Sequence, residues 1–243
     1  MDKIKIEDLP KILEFLKKQI HVREFHQISQ EECLETYNKV IENANEHLNI
    51  GLILADNTKY GSAIVHVIFA SKEMTKALVL YVNGKGINLS NVKGFKSFFY
   101  RHKPRHFFAH FMLMLYTFMK PLISILQNTK TQNVTQSLIN ETFDNSKSSI
   151  EQAIDNDWWF QADSLKNRGL YVDYSNKLVT PSDFKLDDFK IASKNVIEYI
   201  GFCNSLILAI ENLSESGLKE IIEMSKEKWF KDLITTIVKE SEK

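Results

Sequence analysis

Residues 59–86, KYGSAIVHVIFASKEMTKALVLYVNGKG, predict a long helix that can pack closely against its neighbours. The helix should begin near Lys59 and end near Val82, because the glycines of the segment 83–86 are typical of residues that follow a helix terminus. Small residues at positions 61–63 and at Ala70 would let adjacent helices approach its backbone. We therefore expect this segment to be surrounded by other helices.

The segments on either side of it are also mostly helical in pattern. Ser29 followed by Glu32 matches a capping box and predicts a helix from there to about Ala55. Residues 7–20 carry apolar side chains at helical spacing and predict a short amphipathic helix. We therefore divide the chain into an N-terminal helical extension, 1–28, and a helical domain, 29–243.

Beyond residue 100 the pattern predicts four further helices and one hairpin. In chain order these are a helix from Pro104 to about Gln127, a helix over 146–167, extended chain over 169–174 that pairs with 178–180, a helix from Thr180 to about Asn212, and a last helix from Ser214. With only eight Gly and four Pro, the chain does not have the composition of a turn-rich β protein. The predicted fold class is all-α, a helical bundle with a small β-hairpin insertion near 169–180.

Charge, cysteines and hydropathy exclude several classes of protein. Lys plus Arg and Asp plus Glu both number 31, so net charge gives no support to general polyanion binding. Cys33 and Cys203 have no second Cys or His at metal-binding spacing, which indicates reduced thiols. The first residues lack the apolar core of a signal peptide, so we expect a cytoplasmic protein. The apolar run 111–119 is too short to span a membrane.

The segment 101–110, RHKPRHFFAH, holds the densest group of chemically useful side chains. On a helix that starts at Pro104, His106 and His110 would share one face and Arg105 would flank them. The first turn of a helix also offers free N–H groups to an anion. Histidine transfers protons near neutral pH, and arginine binds phosphate through a two-pronged fork. This combination suits RNA cleavage by attack of a 2′-hydroxyl on the adjacent phosphate.

Other interpretations of this segment stay open. It can be a basic helix start at the surface, with His110 packed in the core. His102, His106 and His110 could hold zinc, although no Cys lies nearby and acidic candidates are distant in sequence. The chain has no phosphate-binding loop, no dinucleotide glycine fingerprint and no nucleophile elbow.

Three segments together resemble a known family. The run 105–110 resembles the signature of the HEPN superfamily, whose ribonucleases carry Arg, a polar residue, three more residues and His. The segment 38–76, ending in ASKEMTK, and the segment 166–173, KNRGLYVD, with Pro181 after it, resemble the AbiV abortive-infection branch. The resemblance covers roughly residues 36–210.

This resemblance implies an α-helical HEPN domain that dimerises with its Arg/His motifs facing each other and acts in phage defence. It implies a metal-independent endoribonuclease without a cofactor. Its catalytic residues on this chain would be Arg105, His110, His106 and Glu73, and its RNA-phosphate contacts would be Arg101, His102, Lys103 and Lys76. The chain carries Lys72-Glu73 where the family has two glutamates.

Two questions stay open on the sequence. Either Arg105 with His110 or Arg101 with His106 is the working pair. The expected partners are RNA (tRNA, rRNA or mRNA), a second copy of the chain, and a phage-encoded activator or an antitoxin protein. No membrane association is expected. The alternative to a nuclease is a catalytically silent HEPN module that blocks translation or senses phage by binding a protein.

Overall fold

Five α-helices and one two-stranded hairpin make up the part of the chain that the structure describes. A computed structural model describes residues 25–89, 158–174, 178–228 and 232. The elements are α1 (Gln30–Asp56), α2 (Tyr60–Gly84), α3 (Trp158–Leu170), β1 (Asp173–Tyr174), β2 (Leu178–Val179), α4 (Leu186–Glu211) and α5 (Glu215–Lys226), with short 3-10 helices at Phe25–Gln27 and Pro181–Asp183. The fold is all-α, as predicted.

Helix α1 begins at the predicted capping box. The hydroxyl of Ser29 accepts a hydrogen bond from the Glu32 amide at 3.1 Å, and the Glu32 carboxylate accepts one from the Ser29 amide at 2.9 Å. At the other end, the Asn57 side chain donates to the Ile53 carbonyl at 2.8 Å, and Thr58 turns the chain with a φ of 59°. This tight turn sends α2 back along α1.

Helix α2 lies at the centre and packs against α1, α3 and α4. Its buried residues form one core with apolar side chains from these three helices, among them Trp159 of α3 and Tyr199 of α4. The Tyr199 hydroxyl lies 2.9 Å from the Thr75 hydroxyl of α2, so these two buried hydroxyl groups are hydrogen-bond partners. The prediction that other helices surround this segment is confirmed.

Helices α2 and α3 meet backbone to backbone. A Cβ atom placed on Gly169 would lie 2.6 Å from the carbonyl oxygen of Gly61 and 2.7 Å from a methyl group of Val65. Gly61 in turn lies against the backbone of Pro181. Glycine at both positions therefore allows an approach that side chains would prevent.

Two predicted boundaries are wrong. Helix α3 ends at Leu170 rather than near Asn167, because Gly169 packs in helical conformation against α2 and the Tyr171 amide still bonds to the Asn167 carbonyl at 3.0 Å. The helix predicted from Thr180 is instead a single 3-10 turn followed by extended Phe184, and α4 starts at Leu186.

Two aspartates cause the second break. Asp183 caps the Thr180 amide at 2.6 Å, and Asp188 caps the Lys185 amide at 2.8 Å, so each of two adjacent helices has its own start. The predicted hairpin is confirmed, with Asp173 opposite Val179 and Tyr174 opposite Leu178.

Other predictions lie outside the described residues. These are the helix over 7–20, the helix from Pro104 and the start of the helix over 146–167. The division into 1–28 and 29–243 stays a prediction. Among the described helices none alone has the length and hydropathy to cross a membrane, although α4 joined to Glu215–Glu223, at a bend of 113°, meets the same criterion.

A candidate acid–base site on the central helix

Helix α2 is buried on all sides except for one narrow stripe. Between residues 61 and 81, five side chains are partly exposed and all others are buried. The five are Ser62, His66, Phe69, Glu73 and Lys76. They are separated by four, three, four and three residues, so they lie on one face of the helix. A ligand that reaches this part of α2 must do so along the stripe, and we call these five residues the open stripe.

The open stripe brings together two residues predicted for the site. Lys76 Nζ lies 2.5 Å from Glu73 Oε1, and the two side chains are 22% and 16% exposed. The ammonium and the carboxylate balance each other's charge on the helix surface. Glu73, predicted as catalytic, and Lys76, predicted as a phosphate contact, are thus adjacent and reachable from solvent.

Lys72, the neighbour of Glu73, is buried in the contact with α3, and its ammonium also lies 5.8 Å from the centre of the Phe69 ring. Its side chain is 2% exposed and its Nζ lies 3.4 Å from Asp163 Oδ1. The same oxygen is 2.7 Å from the Nζ of Lys166. A buried ammonium is tolerated only beside a compensating charge. Lys72 therefore contributes to the α2–α3 contact rather than to the accessible face.

Two histidines that the sequence did not single out meet at the open stripe. Nδ1 of His47, from α1, lies 3.2 Å from Nδ1 of His66. The Phe69 ring packs against both imidazoles, with centroids 5.3 Å from that of His47 and 6.1 Å from that of His66. Burial lowers the pKa of His66 below its usual 6.5, and the neighbouring His47 lowers it further. The neutral form of His66 is therefore favoured.

One signal in the sequence could have pointed to His66. It precedes Glu73 by seven residues, which places both on the same helix face two turns apart. His47 carried no such signal, because its position depends on how α1 is aligned against α2. That alignment is set by the turn at Asn57 and Thr58.

The remaining predicted site residues lie outside the described residues. They are Arg101, His102, Lys103, Arg105, His106 and His110. Their placement beside Glu73 stays a prediction. Within the described ranges, no group of three or more His, Cys, Asp or Glu side chains is close enough to hold a metal ion.

The described residues define a class of protein: a helical bundle whose buried central helix presents a carboxylate, a lysine and an imidazole along one open stripe, with a second imidazole from α1 beside it. A family model described as AbiV, of the HEPN type, matches residues 32–196, more than half of the chain. The chain belongs to the AbiV family of HEPN proteins, an abortive-infection family. Comparison with curated proteins and with solved structures finds no match.

The matched range begins in the first turn of α1 and ends within α4. It includes the whole open stripe and the contacts of Lys72 and Gly169 with their neighbours. The resemblance drawn from the sequence is confirmed at the level of the family and of the all-α fold.

Proposed function

We propose that this protein is a metal-independent HEPN endoribonuclease that acts in phage defence as a homodimer. The observation that supports this most is the open stripe of α2. It presents Glu73 and Lys76 to solvent within the range that matches the family. A carboxylate and an ammonium at one accessible position suit a site that handles both a proton and a phosphate.

The proposed reaction needs no group beyond the chain and its RNA. The 2′-oxygen attacks the adjacent phosphorus as His110 removes its proton. The bond to the 5′-oxygen breaks, and that oxygen takes up a proton from the imidazolium or from water. The products are a 2′,3′-cyclic phosphate and a free 5′-hydroxyl. Arg105 stabilises the charge that develops on the phosphorane.

The other site residues have supporting roles in this proposal. Glu73 accepts a hydrogen bond from a catalytic imidazole and so fixes its orientation. Lys76, Arg101, His102 and Lys103 bind flanking phosphates. The contact of Lys72 with Asp163 holds α2 against α3 beside Glu73, which keeps the carboxylate in place.

The first experiment compares the two candidate pairs. R105A/H110A and R101A/H106A are each assayed for cleavage of a mixed tRNA, rRNA and mRNA pool and for growth arrest during phage infection. Circular dichroism checks that each variant is folded. We expect R105A/H110A to lower the cleavage rate by roughly 10²-fold or more, the range associated with loss of general acid–base catalysis. R101A/H106A should lose much less, and wild-type cleavage should persist in a chelator.

Two results would contradict the proposal. Cleavage that persists in folded R105A/H110A would refute the assignment of the working pair. If cleavage and growth arrest persist in both double variants, the segment 101–110 does not hold the nuclease active site.

A second function, protein binding without catalysis, is favoured by a different observation. Four apolar side chains at the end of α3 and on the hairpin are exposed, with Tyr171 and Val172 each 64% exposed. The other two are Leu170 and Leu178. Exposed apolar residues in one region are typical of a protein-binding surface, here for a phage-encoded activator or an antitoxin.

The variant Y171S/V172S tests this alternative. If Y171S/V172S loses phage defence and the wild type cleaves no RNA, protein binding rather than RNA cleavage is the function. If it keeps full phage defence, the binding function at this surface is refuted.

A further inference from the structure

The ring nitrogens of His47 and His66 are close enough to bind one metal ion. Their Nδ1 atoms are 3.2 Å apart. Zinc binds imidazole nitrogen at about 2.0–2.1 Å, so two nitrogens at this separation subtend an angle of about 100° at the metal, close to the tetrahedral value. No large backbone movement is needed to bring both nitrogens to one ion.

We propose that His47 and His66 together bind one divalent transition-metal ion, which fastens α1 to α2. The class of ion is zinc, nickel or copper, because imidazole prefers these metals to magnesium or calcium. This proposal does not rest on the proposed nuclease, because its ligands are neither the Arg/His motif nor Glu73.

The protonation states of the pair suit this role. At 3.2 Å one Nδ1 must donate and the other must accept. The accepting ring is therefore a neutral imidazole with a lone pair at Nδ1, the form that binds metals. The donating ring becomes a second ligand when its proton moves to Nε2, a change of tautomer that leaves the ring neutral.

The surroundings restrict both rings and leave room for solvent. Phe69 packs against the two imidazoles and limits their rotation. Both histidines are only half-buried, so water can complete the coordination of the ion. Because no third His, Cys, Asp or Glu ligand joins them among the described residues, affinity should be moderate and follow the order copper, nickel, zinc.

The position of the pair gives the metal a structural effect on the open stripe. His66 lies two helical turns before Glu73 on the same face of α2. The other ligand comes from α1, the helix that runs back along α2. An ion held by both would therefore fix α1 against α2 at the His66 end of the open stripe, roughly 10 Å along the helix from Glu73.

The test measures metal binding to the full chain after removal of any affinity tag and dialysis against a chelator. Nickel and zinc are titrated calorimetrically into wild type, H47Q, H66Q and H102Q/H106Q/H110Q, with magnesium as the hard-cation control. The triple variant removes the histidines of the segment 101–110, the competing site suggested by the sequence. We expect wild type and the triple variant each to bind one nickel or zinc ion per chain. Titration of magnesium into either protein should give no heat of binding.

Each single variant should bind nickel much more weakly. Losing an outer-shell partner alone costs roughly 10–100-fold in metal affinity, so losing a ligand should cost at least that. Copper provides a readout specific for the ligands. Electron paramagnetic resonance of copper-loaded wild type should show hyperfine coupling to two imidazole nitrogens, and H47Q or H66Q should show one.

Three outcomes overturn the inference. Wild type that binds no nickel or zinc refutes it, and so do H47Q and H66Q with wild-type affinity. Loss of binding in the triple variant but not in H47Q places the metal at the segment 101–110 instead. Because RNA cleavage is not the readout, failure here leaves the proposed nuclease untouched, and failure of the nuclease leaves this test valid.

Discussion

Replacing Gly169 with alanine should destabilise the protein, although alanine favours helices over glycine by as much as about 1 kcal/mol. Gly169 is the penultimate residue of α3, and its φ is not positive, so alanine can adopt its backbone conformation. The obstacle is the neighbouring helix. A Cβ at this position would lie 2.6 Å from the Gly61 carbonyl oxygen and 2.7 Å from a methyl group of Val65.

The size of the loss in stability depends on which atoms must move to make room for the new Cβ. The Gly61 oxygen belongs to the backbone of α2, which is itself packed against Pro181, so relief requires α3 to shift away from α2. Overpacking of this kind costs about 1–3 kcal/mol. The gain from helix propensity is below about 1 kcal/mol so close to a helix end. We expect a net loss of about 1–2 kcal/mol in the free energy of unfolding.

Gly201 provides the matched control. It lies inside α4, is exposed, and a Cβ there would meet nothing within 4 Å. G201A should therefore gain the full propensity term, about 0.5–1 kcal/mol. The same substitution in two helices of one protein thus gives opposite signs.

Urea unfolding of G169A, G201A and wild type, followed by circular dichroism at 222 nm, measures both changes. A chain of this size shifts its Tm by about 2–4 °C per kcal/mol, so thermal melts provide an independent check. If G169A proves as stable as wild type while G201A is stabilised, the close approach of α2 and α3 is not the reason for glycine at position 169.

Three further predictions follow from single contacts. S29A removes the cap of α1 and should lower the free energy of unfolding in urea by about 1 kcal/mol. S193A is the control: it removes a half-buried hydroxyl inside α4 that donates to the Lys190 carbonyl and caps no helix, so it should change little. Because the pKa of His66 is lowered on folding, the unfolded chain binds more protons than the folded chain as the pH falls through 6.5. In a chelator, the free energy of unfolding should therefore drop as the pH falls below about 7, and the drop should be larger in wild type than in H66Q. Burial raises the pKa of Cys203 to about 12 and raises that of Cys33, so neither thiol should react with Ellman's reagent until the protein is denatured; fast labelling of the native chain would contradict this.

Local chemistry explains why part of the candidate site could be predicted. Glu73 and Lys76 were identified from residue type and family resemblance, and their spacing on one helix fixes them as neighbours whatever surrounds them. The cysteines were predicted as reduced thiols because neither has a partner at suitable spacing, and both are free and buried.

The rest of the described site depends on contacts between helices. Lys72 and Glu73 are adjacent in sequence, yet one is buried against Asp163 of α3 and the other is accessible. The pairing of His47 with His66 likewise requires the alignment of α1 and α2. No pattern along one segment encodes either contact.

The sequence by itself determined the all-α class, the capped start of α1, the extent of α2 and the hairpin, because these depend on caps, glycines and periodicity within a few residues. Only the tertiary structure decided where α3 ends, where α4 begins and which face of α2 stays open. Because α2 is apolar on most of its surface, its sequence alone does not show which face will be buried. The accessible face is the one that the neighbouring helices do not cover. That choice leaves His66, Glu73 and Lys76 on the surface and places Lys72 inside.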